Sequence, residues 1–131
     1  MDIFADSSAF FALQDSESKE EEPLKKFILE NHPSLVTTDF VFAESISLMT
    51  KRIGKYKGID WGKDVFSSSV VRLIYLDEDL KREAWTLYCK FKDKDFDFID
   101  ATSFVFCKKN GIKEVLTLDR HFSQMGFHVR P

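Results

Sequence analysis

Five glycines, Gly54, Gly58, Gly62, Gly111 and Gly126, are too few and too scattered to build a phosphate-cradling loop. Neither G-x-G-x-x-G nor P-loop spacing occurs, which removes the modules that approach a nucleotide through bare backbone. Cysteine is scarcer still. Cys89 and Cys107 form no C-x-x-C pair and no Cys/His cluster, so no disulfide framework is expected and both thiols are read as small buried apolar groups in a reducing cytoplasm. Positive charge is not in excess either: 19 Lys and Arg stand against 22 Asp and Glu, a formal net charge of −3. That balance argues against a passive nucleic-acid binder, which needs a broad basic field, but not against an enzyme that meets phosphates through bound divalent cations. No apolar run approaches the ~18 residues that span a bilayer. The first residues carry an acid and no basic segment, so no signal peptide is expected and the location is read as cytoplasmic.

What is present suits a folded chain. Of the 131 residues, 44% are hydrophobic, 31% charged and 14 are phenylalanine, enough apolar surface for one core and one domain spanning 1–131. "MDIFAD" reads as a short buried strand and "SSAFFALQD" as a helix capped by Ser7 or Ser8. "ESKEEEPLKKFILENHP" carries Leu24, Phe27 and Ile28 on one helical stripe. "SLVTTD" is β-branched and strand-like, and a helix follows it, capped by Thr38 or Asp39 and stopped by Gly54. "KYKGIDWGKDVFSS", with two glycines, reads as a loop plus a helix. "VVRLIYL" predicts a strand, "DEDLKREAWTLYCKFKD" a helix and "DFIDATSFVFCKKNG" another, ending at Asn110-Gly111. "KEVLTLD" predicts a strand ending in an acid, and "FHVRP" a last short strand. Strands alternating with helices imply crossovers and an α/β three-layer sandwich around a mainly parallel sheet.

In such sheets ligands sit beyond the carboxyl ends of the strands, and two strands here end in aspartate, Asp6 and Asp119. Glu44 lies in "FVFAESISLM", apolar almost all round, where burial is costly unless a cation or donor compensates it; a thin wet face of Glu44, Ser47 and Lys51 is the plainer reading. Asp100, in "DFDFIDATSF", is explained as the third residue of a helix capped by Asp97. An Asx turn would account for Asp119 alone, and His121 reads as a loop or partly packed imidazole with no Ser or Cys nucleophile beside it. Singly these acids are unremarkable. In order they make a pattern: strand-end Asp, helical Glu, helix-opening Asp, second strand-end Asp.

That ordered set, carried by "DSSAFFAL", "TTDFVFAESISLM" and "FIDATSFVFCKKNGIKEVLTLDRHFSQMGF", resembles the PIN-domain family, in particular the VapC-type toxins of toxin–antitoxin pairs. The resemblance covers nearly the whole chain, and its four acidic positions fall on Asp6, Glu44, Asp100 and Asp119. It implies a divalent-metal-dependent ribonuclease using Mg²⁺ or Mn²⁺, in which a metal-activated water leaves a 5′-phosphate and a 3′-hydroxyl. Asp6, Asp100 and Asp119 are then metal ligands, with Glu44 completing the set or orienting the water. Ser7 is a candidate donor to a carboxylate. The resemblance also implies an RNA substrate, an antitoxin protein that occludes the acidic cleft, and a homodimer.

Physical chemistry points the same way: crowded carboxylates repel one another, and a hard cation relieves them. Lys51, Arg52, Lys55, Lys57 and Arg120 are the local cations available for phosphates. Phe10 and Phe11, or Phe40 and Phe42, are candidates for an exposed partner-binding patch, although core packing is the plainer use for most of them. A PIN-fold protein that binds RNA or a partner and barely cleaves is the alternative. A receiver-type phospho-acceptor domain fits poorly, because Asp6 is followed by Ser-Ser and "LTLD" by Arg-His-Phe rather than by the paired acids and lysine it needs.

Overall fold

A computed structural model describes residues 1–131. Five short strands, β1 (Asp2–Ala5), β2 (Ser34–Thr38), β3 (Val71–Ile74), β4 (Glu114–Leu116) and β5 (His128–Arg130), form one sheet in the order β3-β2-β1-β4-β5. Every pairing is parallel, with Phe4 opposite Val36 on one side and opposite Val115 on the other. The chain first builds outward from β1 through β2 to β3, then returns to the far side of β1 with β4. That reversal places a topological switch point between β1 and β4, where an open α/β sheet leaves a crevice at its carboxyl edge.

Seven helices fill the crossovers: α1 (Ser7–Gln14), α2 (Glu21–Asn31), α3 (Asp39–Arg52), α4 (Lys55–Ser67), α5 (Glu78–Lys90), α6 (Phe98–Lys109) and α7 (Arg120–Gln124). α1 packs on α2 and α3, and α3 on α4; α5 packs on α6. Right-handed crossovers on the two sides of the reversal put these groups on opposite faces of the sheet, giving the three-layer α/β sandwich expected. α3 and α6 also touch each other, which brings the two faces together over one end of the sheet. Phenylalanine fills the α6 side: Phe4 packs on Phe106 and Phe122, and Phe104 contacts Phe96, Phe122 and Phe127 with centroids 4.9–5.9 Å apart.

Three local expectations change. Residues 55–67 form one continuous helix, not a loop plus a helix. The two glycines sit inside that helix facing α3, where a Cβ at Gly58 would meet Thr50 Oγ1 at 3.4 Å and one at Gly62 would meet Ile46 Cδ1 at 3.4 Å, both ordinary contact distances. β4 stops at Leu116, three residues before Asp119, which lies in the turn beyond it. Cys107 is buried as expected, but Cys89 is exposed on the outer face of α5.

Candidate metal centre

β1 carries Asp6 to the middle of the carboxyl edge, where it is 3% exposed. Its N–H donates to the Leu116 carbonyl at 3.1 Å, and its carbonyl accepts from Ala9 and Phe10 to start α1. Asp6, rather than Ser7 or Ser8, is therefore the N-cap, yet its side chain caps nothing. The carboxylate turns across the switch point instead. Thr117 donates to Asp6 Oδ2 at 3.0 Å and Ser8 at 3.3 Å. Thr117 Oγ1 also accepts the N–H of Asp119 at 3.0 Å, and Ser8 Oγ accepts that of Leu118 at 2.9 Å. One small hydroxyl network thus ties the end of β1 to the turn after β4.

Asp100 enters from α6. Asp97 accepts its N–H at 2.8 Å, and Asp100 Oδ2 accepts the N–H of Asp97 at 3.2 Å, a reciprocal capping box. Capping explains an acid at this position, but not one only 8% exposed. Asp119 is the N-cap of α7, accepting the His121 N–H at 2.9 Å, and the turn is pinned by the fully buried Phe122. Glu44 is half-buried on α3, not simply wet. It lines a 520 Å³ groove with Phe40, Ala43, Ser47, Lys51 and Ile99.

Asp6, Glu44 and Asp100 each feel the charge of Asp119. Burial pushes the Asp6 carboxyl up to about 6, helped by the charges of Glu44 and Asp119 and opposed by the Ser7 N–H and Thr117. Burial also pushes Asp100 up to about 8, with Asp97, Asp6 and Asp119 adding repulsion against the Asp97 N–H. Glu44 is raised by burial and by Asp97 and Asp119, while the Ser7 hydroxyl favours its ionised form. Ser8 and Thr117 are the hydroxyls that bond Asp6, where Ser7 had been the expected carboxylate donor.

His121 is the partly packed imidazole that was one of its two expected readings, but its acidic setting was not foreseen: Nδ1 is 2.8 Å from Asp119 Oδ1 and 3.6 Å from Asp100 Oδ2. Nε2 is 2.7 Å from Asp95 Oδ1. Burial alone would lower the basicity of the ring, but the bond to Asp95 and the charges of Asp119 and Asp100 outweigh it, so the imidazolium is favoured over its ordinary range. Asp95 is held below the usual carboxylate range, chiefly by the His121 hydrogen bond. The available signal was the two-residue spacing from Asp119, which a short helix turns back over its own N-cap.

A divalent cation fits this set of donors. Asp100, Asp119 and His121 each offer a ligand atom, and the three atoms lie within 4.8 Å of one another. Burial, with repulsion added, holds protons on Asp6 and Asp100; a hard, doubly charged ion offsets both by compensating the buried charge, and carboxylate oxygens are the ligands such ions prefer.

A parallel sheet with an acidic crevice at its switch point defines the class, and residues 3–128 match the PIN domain. The chain belongs to the PIN-domain family. It is 30% identical over 130 residues, 98% of both chains, to the 23S rRNA-specific endonuclease VapC20 of Mycobacterium tuberculosis. The crystal structure of that protein, a sarcin–ricin-loop-cleaving toxin, superposes with a TM-score of 0.91 at 29% identity, covering 98% of this chain and 99% of that one. FitAcB from Neisseria gonorrhoeae shares the fold at a TM-score of 0.70 and 16% identity, with 98% and 96% covered.

Proposed function

We propose that this chain is a divalent-metal-dependent endoribonuclease, the toxin of a VapBC-type pair, hydrolysing RNA at the pocket formed by Asp6, Glu44, Asp100 and Asp119. One observation supports the reading: burial raises the carboxyls of Asp6, Glu44 and Asp100, which come from separate parts of the chain, and each of the three also feels the charge of Asp119. Similarity across 98% of an RNA endonuclease supports it.

Without a cation the pocket repels a phosphodiester, so the acids hold Mg²⁺ or Mn²⁺ before they meet RNA. When bound, the ion supplies charge neutralisation and Lewis acidity at the scissile phosphate. Asp6, Asp100 and Asp119 would hold it. Thr117 fixes both Asp6 and Asp119, and the Asp97 capping box fixes Asp100, so the donors are ordered before the ion arrives. Glu44 stands on a different wall and takes a proton from the attacking water, a task its raised basicity suits. The new bond joins the water oxygen to phosphorus, the bond to the 3′ oxygen breaks, and that oxygen leaves as a hydroxyl. Lys51, in the groove beside Glu44, and Arg120, next to Asp119, are exposed and meet flanking phosphates.

The four phenylalanines proposed as a partner patch are not exposed: Phe10 is buried and Phe11, Phe40 and Phe42 are partly buried. The apolar surface lies elsewhere. Trp85 and Tyr88 on α5, 58% and 40% exposed and stacked at 5.7 Å, offer a face for a second copy, so a homodimer is expected by size-exclusion chromatography. The antitoxin is expected to place a basic side chain among the carboxylates. Incubation with an RNA carrying the sarcin–ricin loop tests the activity: cleavage requires added Mg²⁺ or Mn²⁺ and is lost in Asp6→Asn with the fold intact. Undiminished turnover in that variant removes the mechanism.

A further inference from the structure

We propose that His121 is an additional ligand of the cation, binding it through Nδ1 while Asp95 holds Nε2. The inference rests on the metal site argued above and extends it to a nitrogen donor. Three observations carry it. First, Nδ1 is buried and has no hydrogen-bond partner, although carboxylate oxygens of Asp119 and Asp100 stand 2.8 and 3.6 Å away. The ring is close to both acids yet aligned to donate to neither. A cation among the three supplies the missing partner. Second, the opposite ring nitrogen is fixed by the 2.7 Å contact with Asp95 Oδ1, and Arg120 Nη2 lies 3.8 Å from the other oxygen of Asp95. A carboxylate on the far nitrogen is the arrangement that sets the tautomer and direction of a metal-ligating histidine. Third, the ring has little freedom to leave. Its side chain is 15% exposed, its backbone N–H is bonded to Asp119, and the next residue, Phe122, is fully buried.

The consequence is a cation preference. An all-carboxylate set suits Mg²⁺, whereas an imidazole nitrogen adds more to the binding of a transition ion. Mn²⁺ is therefore held more tightly than Mg²⁺, and the difference depends on His121. Asp95 is a positioning residue in this arrangement, acting through the ring rather than on the ion.

The experiment is pulsed electron paramagnetic resonance of Mn²⁺ bound to the full chain, which reads ¹⁴N coupling directly and does not depend on activity. The wild-type protein is expected to show histidine nitrogen coupling that disappears in His121→Leu. Mn²⁺ affinity should fall about 10-fold or more in that variant, with a smaller loss for Mg²⁺, and Asp95→Ala should weaken Mn²⁺ binding about 10-fold. Asp100→Asn identifies the site. Mn²⁺ binding that is lost in Asp100→Asn but shows no nitrogen coupling in wild type overturns the ligand assignment and leaves the carboxylate site standing, as does coupling that survives in His121→Leu. Binding indifferent to Asp100→Asn overturns both.

Discussion

Asp100 combines a local capping role with a buried position among other acids. Its oxygen completes a capping box with Asp97, while burial beside Asp6 and Asp119 lifts its carboxyl to about 8. Such a group is a cost to the metal-free fold at neutral pH, which gives two predictions. The folded state holds protons on Asp6 and Asp100 at pH values where the unfolded chain, with carboxyls near 3.8, has released them. Their contribution to stability is therefore full below about pH 4 and is lost as pH rises through about 6 and then about 8. Metal-free protein should melt at falling temperature across that window, and saturating Mn²⁺ should flatten the slope; a metal-free melting temperature that climbs from pH 5 to 8 contradicts it. Asp100→Asn, which can still accept the Asp97 N–H, should raise the metal-free melting temperature at pH 8 by a few degrees, as a gain of about 1 kcal/mol does in a chain of this size. Calorimetry checks both. At this scale the four acids proposed as the site were picked out by their order along the chain. His121, Ser8 and Thr117 were not, because their roles arise only when the turn after β4 lies against the end of β1.

Elements position these residues through packing that reads poorly in a pattern. Gly58 and Gly62 looked like breaks, but both lie within a continuous α4 packed on α3, and the space around them does not demand glycine at 62. The nearest atom to an added Cβ is the flexible end of Ile46 at 3.4 Å, so Gly62→Ala should leave the packing intact and gain about 0.5–1 kcal/mol from helix propensity, measured by urea unfolding. Destabilisation there would mean that the α3–α4 contact is tighter than described. α7 is the reverse case. It has five residues, too few to persist alone, and Phe122 anchors it among Phe4, Phe104 and Phe127. Phe122→Ala should cost about 3–5 kcal/mol in the same assay and also weaken cation binding, because Asp119 and His121 flank the anchor. The strands were readable from their β-branched and apolar runs. The end of β4 was misread because "LTLD" keeps alternating past Leu116, while Thr117 turns its hydroxyl from the ladder to Asp6.

For the whole molecule, the sheet order decides where the acidic crevice lies. Reversal of the chain after β3 sets β4 beside β1, and contact between α3 and α6 closes the crevice from both faces. Strand–helix alternation predicted the sandwich; the pairing of β1 with β4 has no signature in the sequence beyond the two acids that follow them. With one sheet joining all the strands, residues 1–131 are proposed to unfold as one cooperative unit, and two resolved calorimetric transitions would count against a single domain. RNA binding through a few exposed cations should weaken steeply with salt. The deciding measurement is end-mapping of sarcin–ricin-loop RNA after incubation with chelator-stripped protein, with and without Mn²⁺. Cleavage only with the ion, leaving 5′-phosphate and 3′-hydroxyl ends, is the expected result; cleavage that persists in chelator, or that leaves 2′,3′-cyclic phosphate, would contradict a carboxylate-held cation as the engine of the reaction.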